Sequence, residues 1–154
     1  MKTLIIGLGN KILKDDGVGI RAAEALKEHI SQRDDIEIME LSVGGMRLME
    51  IMADYRRVFI IDAVMTGNNP PGTIYKLTID DLGQSLHTSS THDASLACAL
   101  EAGRQMGINI PSEIIIWGIE ALEVNTFGES MTPALEEAIP AVVGKLLKDL
   151  VPAS

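Results

Sequence analysis

The chain has 154 residues, is 46% hydrophobic, and sets 13 Lys plus Arg against 22 Asp plus Glu for a formal charge of −9. That length suits one domain, 1–154, able to bury roughly 70% of its unfolded surface, and the lack of a basic cluster excludes nucleic acid as the expected partner. Cys98 is the only cysteine, so an internal disulfide is excluded; no signal-peptide core and no membrane-spanning run are seen, and a reducing cytoplasm is the expected location.

The first element is a strand over Thr3 to Ile6, broken by Gly7 and Gly9 and followed by the acid pair Asp15 and Asp16 before Gly17 opens a helical pattern. In an open α/β sheet the loop leaving a strand's carboxyl end faces the ligand crevice, which makes these carboxylates functional candidates. Asp is also a good N-cap, and the local sequence leaves capping and chemistry both open. Val18, Ala22, Ala25, Leu26 and Ile30 then recur at helical spacing to about Ser31.

Ile36 to Leu41 reads as a second strand, ended by Gly44 and Gly45, with a short helix from Met46 to Tyr55. The methionines between Met39 and Met52 are assigned to the core rather than to an adaptable surface. Val58 to Ile61 is a continuous apolar run, the pattern of a strand covered on both faces, and it delivers Asp62 at its end. A fourth strand follows at Thr73 to Ile79. The connection between these two strands is too short for a helical crossover, so the pair is expected to be antiparallel and the sheet mixed.

Asp80 to Thr91 is a polar loop with His87, closing on Ser90, Thr91 and His92 at the start of a helix whose inner face carries Leu96, Leu100 and Gly103. With Ser90 or Thr91 as cap, His92 falls in the first turn, where the helix dipole disfavours added positive charge and keeps an imidazole neutral. Ile114 to Trp117 is another buried strand. The loop from Glu120 to Met131 leaves the candidate edge if that strand is parallel to the first. Thr132 and Pro133 start a last helix, in which Pro140 is expected to make a kink or set a later start. The fold class expected is a three-layer α/β/α sandwich around a twisted, mixed five-stranded sheet.

Asp16, Asp62 and His92 thus converge on one sheet end. Two carboxylates and an imidazole form an oxygen and nitrogen donor set for a divalent first-row metal, with positions left for water or substrate. Singly, His92 also reads as a solvated helix-start residue and Asp62 as a hydrogen-bonded strand end. Other chemistries fit less well. Cys98, assigned as a small buried hydrophobe, lies about 240° around the helix from His92; no GxSxG elbow is present; and Gly7-Leu8-Gly9 lacks the third glycine of a dinucleotide loop, Ile12 standing there.

The ordered set of motifs resembles the hydrogenase maturation proteases, endopeptidases that trim the C-terminal tail of the [NiFe] hydrogenase large subunit. The resemblance rests on IIGLGNKILKDDGVGIRAAEAL, Gly44-Gly45-Met46, FIIDAV with Asp62, Pro71-Gly72-Thr73, His92 opening a helix, and Met131-Thr132-Pro133. It covers nearly the whole chain. It implies a twisted mixed five-stranded sheet, and a metal-binding trio at Asp16, Asp62 and His92, with Asp15 an alternative to Asp16. It further implies nickel as the metal, carried by the substrate, though other divalent ions fit the same donors. The expected partner is the [NiFe] hydrogenase large-subunit precursor, and a monomer is expected. A non-catalytic metal-dependent chaperone of that precursor and a nucleotide-binding enzyme are the alternatives.

Overall fold

The computed structural model describes residues 2–82 and 91–150. Its strands are β1 (Thr3–Leu8), β2 (Ile36–Leu41), β3 (Arg57–Val64), β4 (Ile74–Leu77) and β5 (Glu113–Glu120), and the helices are α1 (Val18–Ile30), α2 (Gly45–Met52), the single turn α3 (Ile79–Leu82), α4 (Thr91–Gln105) and α5 (Pro133–Leu150). The described strands form one sheet in the order β2-β1-β3-β5-β4. The first four in that order are mutually parallel and β4 is antiparallel to β5.

The mixed five-stranded sheet is as expected, but one neighbour differs. β4 does run opposite to β3, yet it pairs with β5, which inserts between them with Val58 opposite Ile114 and Val64 opposite Glu120. The physical reason is burial. The apolar runs of β3 and β5 satisfy each other's backbone in the interior, and β4, with Lys76 exposed, takes the edge.

Alternation along the strands sorts the core into two layers. Ile5, Phe59, Ile61, Trp117 and Ile119 face α1 and α5, meeting Val18, Ala22 and Leu26 from one helix and Leu135, Val142 and Leu146 from the other. Leu4, Ile6, Val58, Ile60 and Ile116 face α2 and α4, meeting Leu48, Met49, Met52, Leu96 and Leu100. Met49 and Met52 are core residues as expected, whereas Met46 is exposed. Cys98 is exposed rather than buried, because it stands off the Leu96, Ala99 and Leu100 stripe that packs on the sheet.

The last helix begins at Pro133 and continues through Pro140. Pro140 and Glu136, whose carbonyl loses its partner there, are both on the exposed side, where water can satisfy that carbonyl. Gly144 is also exposed, with nothing within 4 Å of the place a Cβ would occupy. Gly144→Ala is therefore expected to stabilise the fold by about 0.5–1 kcal/mol, read as a rise of a few degrees in Tm by calorimetry. No described helix is long and apolar enough to cross a membrane.

Candidate active site

The parallel strands β1, β2, β3 and β5 end on one edge, so the loops that follow them meet there. The turn after β1 is built by glycines. At Gly9 (φ +142°) a Cβ would lie 2.0 Å from the Asp16 carbonyl oxygen, and at Gly19 it would lie 2.2 Å from the Ile61 carbonyl and 2.5 Å from that of Leu8. The start of α1 is thereby seated directly on the ends of β1 and β3, which no larger residue would permit.

Between them, Lys14–Gly17 makes a 3-10 turn carrying the two aspartates. The N-cap of α1 is Gly17, so neither aspartate occupies the capping position. Asp16 is half-buried, and its Oδ2 accepts from the Asn10 N–H at 3.0 Å. That N–H belongs to the segment after Gly9 that a dinucleotide phosphate would need, and here it serves a carboxylate.

Asp15 is different. It is fully buried, and its carboxylate accepts from the N–H of Leu122 and of Glu123 at 2.9 Å and from the N–H and hydroxyl of Thr132 at 2.7 Å. Burial pushes its carboxyl up, but the Thr132, Glu123 and Leu122 donors outweigh that and hold it below the usual carboxylate range. Two adjacent aspartates thus do separate work: Asp15 ties the β1–α1 turn to the β5–α5 loop, and Asp16 remains at the edge.

Asp62 lies on the neighbouring strand. Gly7 of β1 pairs with Ile61, so Asp62 is the next step toward the edge. It is fully buried, and its Oδ1 accepts from the Ala63 N–H at 2.8 Å. Strand alternation turns it to the face of Val58 and Ile60, the α2 and α4 side. His92 is the second residue of α4, the helix on that side. Its side chain lies outside the described part of the structure, as do His87 and Ser90 entirely. Among the described residues no group of three His, Cys, Asp or Glu side chains forms a metal-sized cluster, and the imidazole of His92 is not in that set.

Sequence reasoning placed Glu120 in a loop and gave it no role. It is instead the last residue of β5, 2% exposed, on the same sheet face as Asp62. Its carboxylate accepts from the Thr66 N–H at 2.9 Å, from the Tyr75 hydroxyl at 2.7 Å and from the Thr66 hydroxyl, fixing the β3–β4 connection over the edge. Burial pushes this carboxyl up, and the Thr66, Tyr75 and Gly67 donors more than offset it, holding it below the ordinary 4.5. The only local signal was an acid ending an apolar strand.

A folded value below the unfolded one means that Glu120 contributes stability above pH 4.5 and loses it as pH falls through its folded value. Glu120→Gln is thus expected to cost about 1–3 kcal/mol at pH 7 and progressively less as the pH falls below 4.5, measured by urea unfolding across that range.

A cleft of about 600 Å³ lined by Leu77, Ile79, Arg104, Pro111 and Glu113 lies at the amino end of β5, the opposite edge from these acids. It plays no part in the site.

Comparison with known proteins agrees with this fold. A family model for hydrogenase maturation protease matches residues 20–149. The hydrogenase 2 maturation protease of Escherichia coli K12 is 32% identical over 151 residues, spanning 92% of this chain and 91% of that protein. The structure of the E. coli hydrogenase maturating endopeptidase HybD superposes with a TM-score of 0.82 at 29% identity, over 97% of this chain and 92% of that one. The fold is also shared by the [NiFe] hydrogenase maturation protease HybD from Thermococcus kodakarensis, with a TM-score of 0.76 at 22% identity over 98% and 100% of the two chains. The α/β/α layers and these matches agree, and the chain belongs to the hydrogenase maturation protease family.

Proposed function

We propose that this chain is the endopeptidase that removes the C-terminal propeptide of a [NiFe] hydrogenase large-subunit precursor once nickel has been inserted. The observation that carries the reading is Asp62, a fully buried carboxylate delivered to the carboxyl end of a central strand, one strand from the turn that holds Asp16. Burying a carboxylate is costly, and a buried one is held by hydrogen-bond donors, as Asp15 and Glu120 are, or by a cation, the role this reading gives Asp62. The donor set fits such an ion: Asp16 and Asp62 offer oxygens, and His92, the second residue of α4, is the nitrogen donor of this reading.

Nickel belongs to the substrate in this reading, and Asp16, Asp62 and His92 recognise it there. One of the two carboxylates takes a proton from water as the water oxygen bonds to the scissile carbonyl carbon. The C–N bond then breaks, and the proton passes to the departing amine. Because the same residues recognise nickel and act on the peptide bond, a precursor without its metal is left uncut. The single cysteine, Cys98, suits action in the cytoplasm.

The test is mass spectrometry of the precursor, nickel-loaded or nickel-free, after incubation with this protein. Loss of a C-terminal peptide from the loaded precursor alone is the expected result. Binding without a change in mass would make the chain a chaperone, and cleavage of both forms would remove the nickel gate.

A further inference from the structure

Asp15 takes no part in that chemistry, yet it is as deeply buried as Asp62. We propose that Asp15 is a positioning residue of the protease, fixing the Asp16 carboxylate by clamping the turn that bears it to the β5–α5 loop; the inference rests on the proposed function above.

The clamp has three parts. The Asp15 carboxylate gathers the Leu122, Glu123 and Thr132 donors already described. The backbone adds a second tie: Lys14 N–H donates to the Gly128 carbonyl at 2.8 Å, Gly128 N–H to that of Ile12 at 2.8 Å, and Asp15 N–H to that of Glu123 at 2.9 Å. The third is conformational. Lys14 has φ +39°, in the left-handed region that a residue with a Cβ rarely occupies. A strained residue of this kind persists only where its surroundings over-determine it, and such strain collects at functional sites.

Asp16 is the next residue after this clamp and is held from the other side as well. Gly9 lies against its carbonyl, the Asn10 N–H holds its Oδ2 at 3.0 Å, and its own N–H donates to Leu13 at 2.9 Å. If the Asp15 acceptors are lost, the Leu122, Glu123 and Thr132 donors have no partner in the turn and only the backbone ties hold it, so Lys14 relaxes toward negative φ and the peptide plane leading into Asp16 rotates. The carboxylate moves even though none of its own partners has been substituted. Displacements of about 1 Å in a catalytic group are enough to cost on the order of a hundredfold in rate.

The test is Asp15→Asn, which keeps the shape and turns one acceptor into a donor facing donors. Processing of the nickel-loaded precursor is followed at a temperature well below the variant's Tm, with rates referred to folded protein. The expected result is a fall in kcat of tenfold or more with KM within threefold, together with faster hydrogen exchange at the Asp16, Leu122 and Glu123 amides and unchanged exchange in β3. A purely structural role lowers the folded fraction and leaves kcat per folded molecule intact, so a folded variant with kcat within twofold of the unmodified protein overturns the proposal. Should Asp15→Asn not fold, Thr132→Val removes the hydroxyl donor alone. A threefold or greater loss of kcat is then expected, and an unchanged kcat overturns the clamp. An unmodified protein that leaves the loaded precursor intact defeats the protease reading itself and this inference with it, an outcome distinct from equal cleavage by both proteins.

Discussion

Asp62→Asn is expected to lower release of the C-terminal peptide from the nickel-loaded precursor by at least about a hundredfold while leaving the fold in place. Asparagine has the same shape and can still accept from the Ala63 N–H, which bonds to Oδ1 at 2.8 Å in the structure. What disappears is the charge. A neutral amide neither takes a proton from water nor attracts a metal cation as a carboxylate does, and at a fully buried position no solvent screens the difference. Mass spectrometry after single-turnover incubation measures the effect, with circular dichroism as the check on folding. Processing within threefold of the unmodified protein would remove Asp62 from the reaction.

Gly19→Ala should produce a large loss of stability at this edge. The new Cβ would stand 2.2 Å from one backbone carbonyl oxygen and 2.5 Å from another, on two strands that are hydrogen-bonded to each other. Neither oxygen can yield without moving β1 or β3, so the helix must lift. A cost of about 3 kcal/mol or more follows, or a drop of roughly 6–12 °C in Tm. Lifting α1 also draws Asp16 away from Asp62, so processing per folded molecule should fall as well. A Tm within 2 °C of the unmodified protein, read by calorimetry, would show that the contact between helix and strand ends is looser than the geometry requires.

Asp15 and Asp16 mark the boundary of what could be read locally. They are the same residue type, side by side in one turn, and the sequence offered both for capping and for chemistry. The difference between them is set by Leu122, Glu123 and Thr132, 107 to 117 positions away. The same holds for Glu120, whose partners Thr66 and Tyr75 lie 54 and 45 positions back, and for the place of β4, which depended on where β5 inserted. Cys98 was misplaced for a related reason: its side of α4 was judged by residue type, whereas the stripe that packs is fixed by Leu96 and Leu100.

By itself the sequence determined the α/β alternation, the inward faces of α1 and α5, and the placement of Asp16 in the turn after β1 and of Asp62 late in an apolar strand, because helical periodicity, apolar runs and glycine turns are written in neighbouring residues. Only the tertiary structure decided which aspartate is buried against the β5–α5 loop, which strand lies beside which, and that a buried glutamate fixes the β3–β4 connection. Those outcomes depend on hydrogen bonds between segments far apart in the chain, and such bonds exist only once the register of the sheet is set.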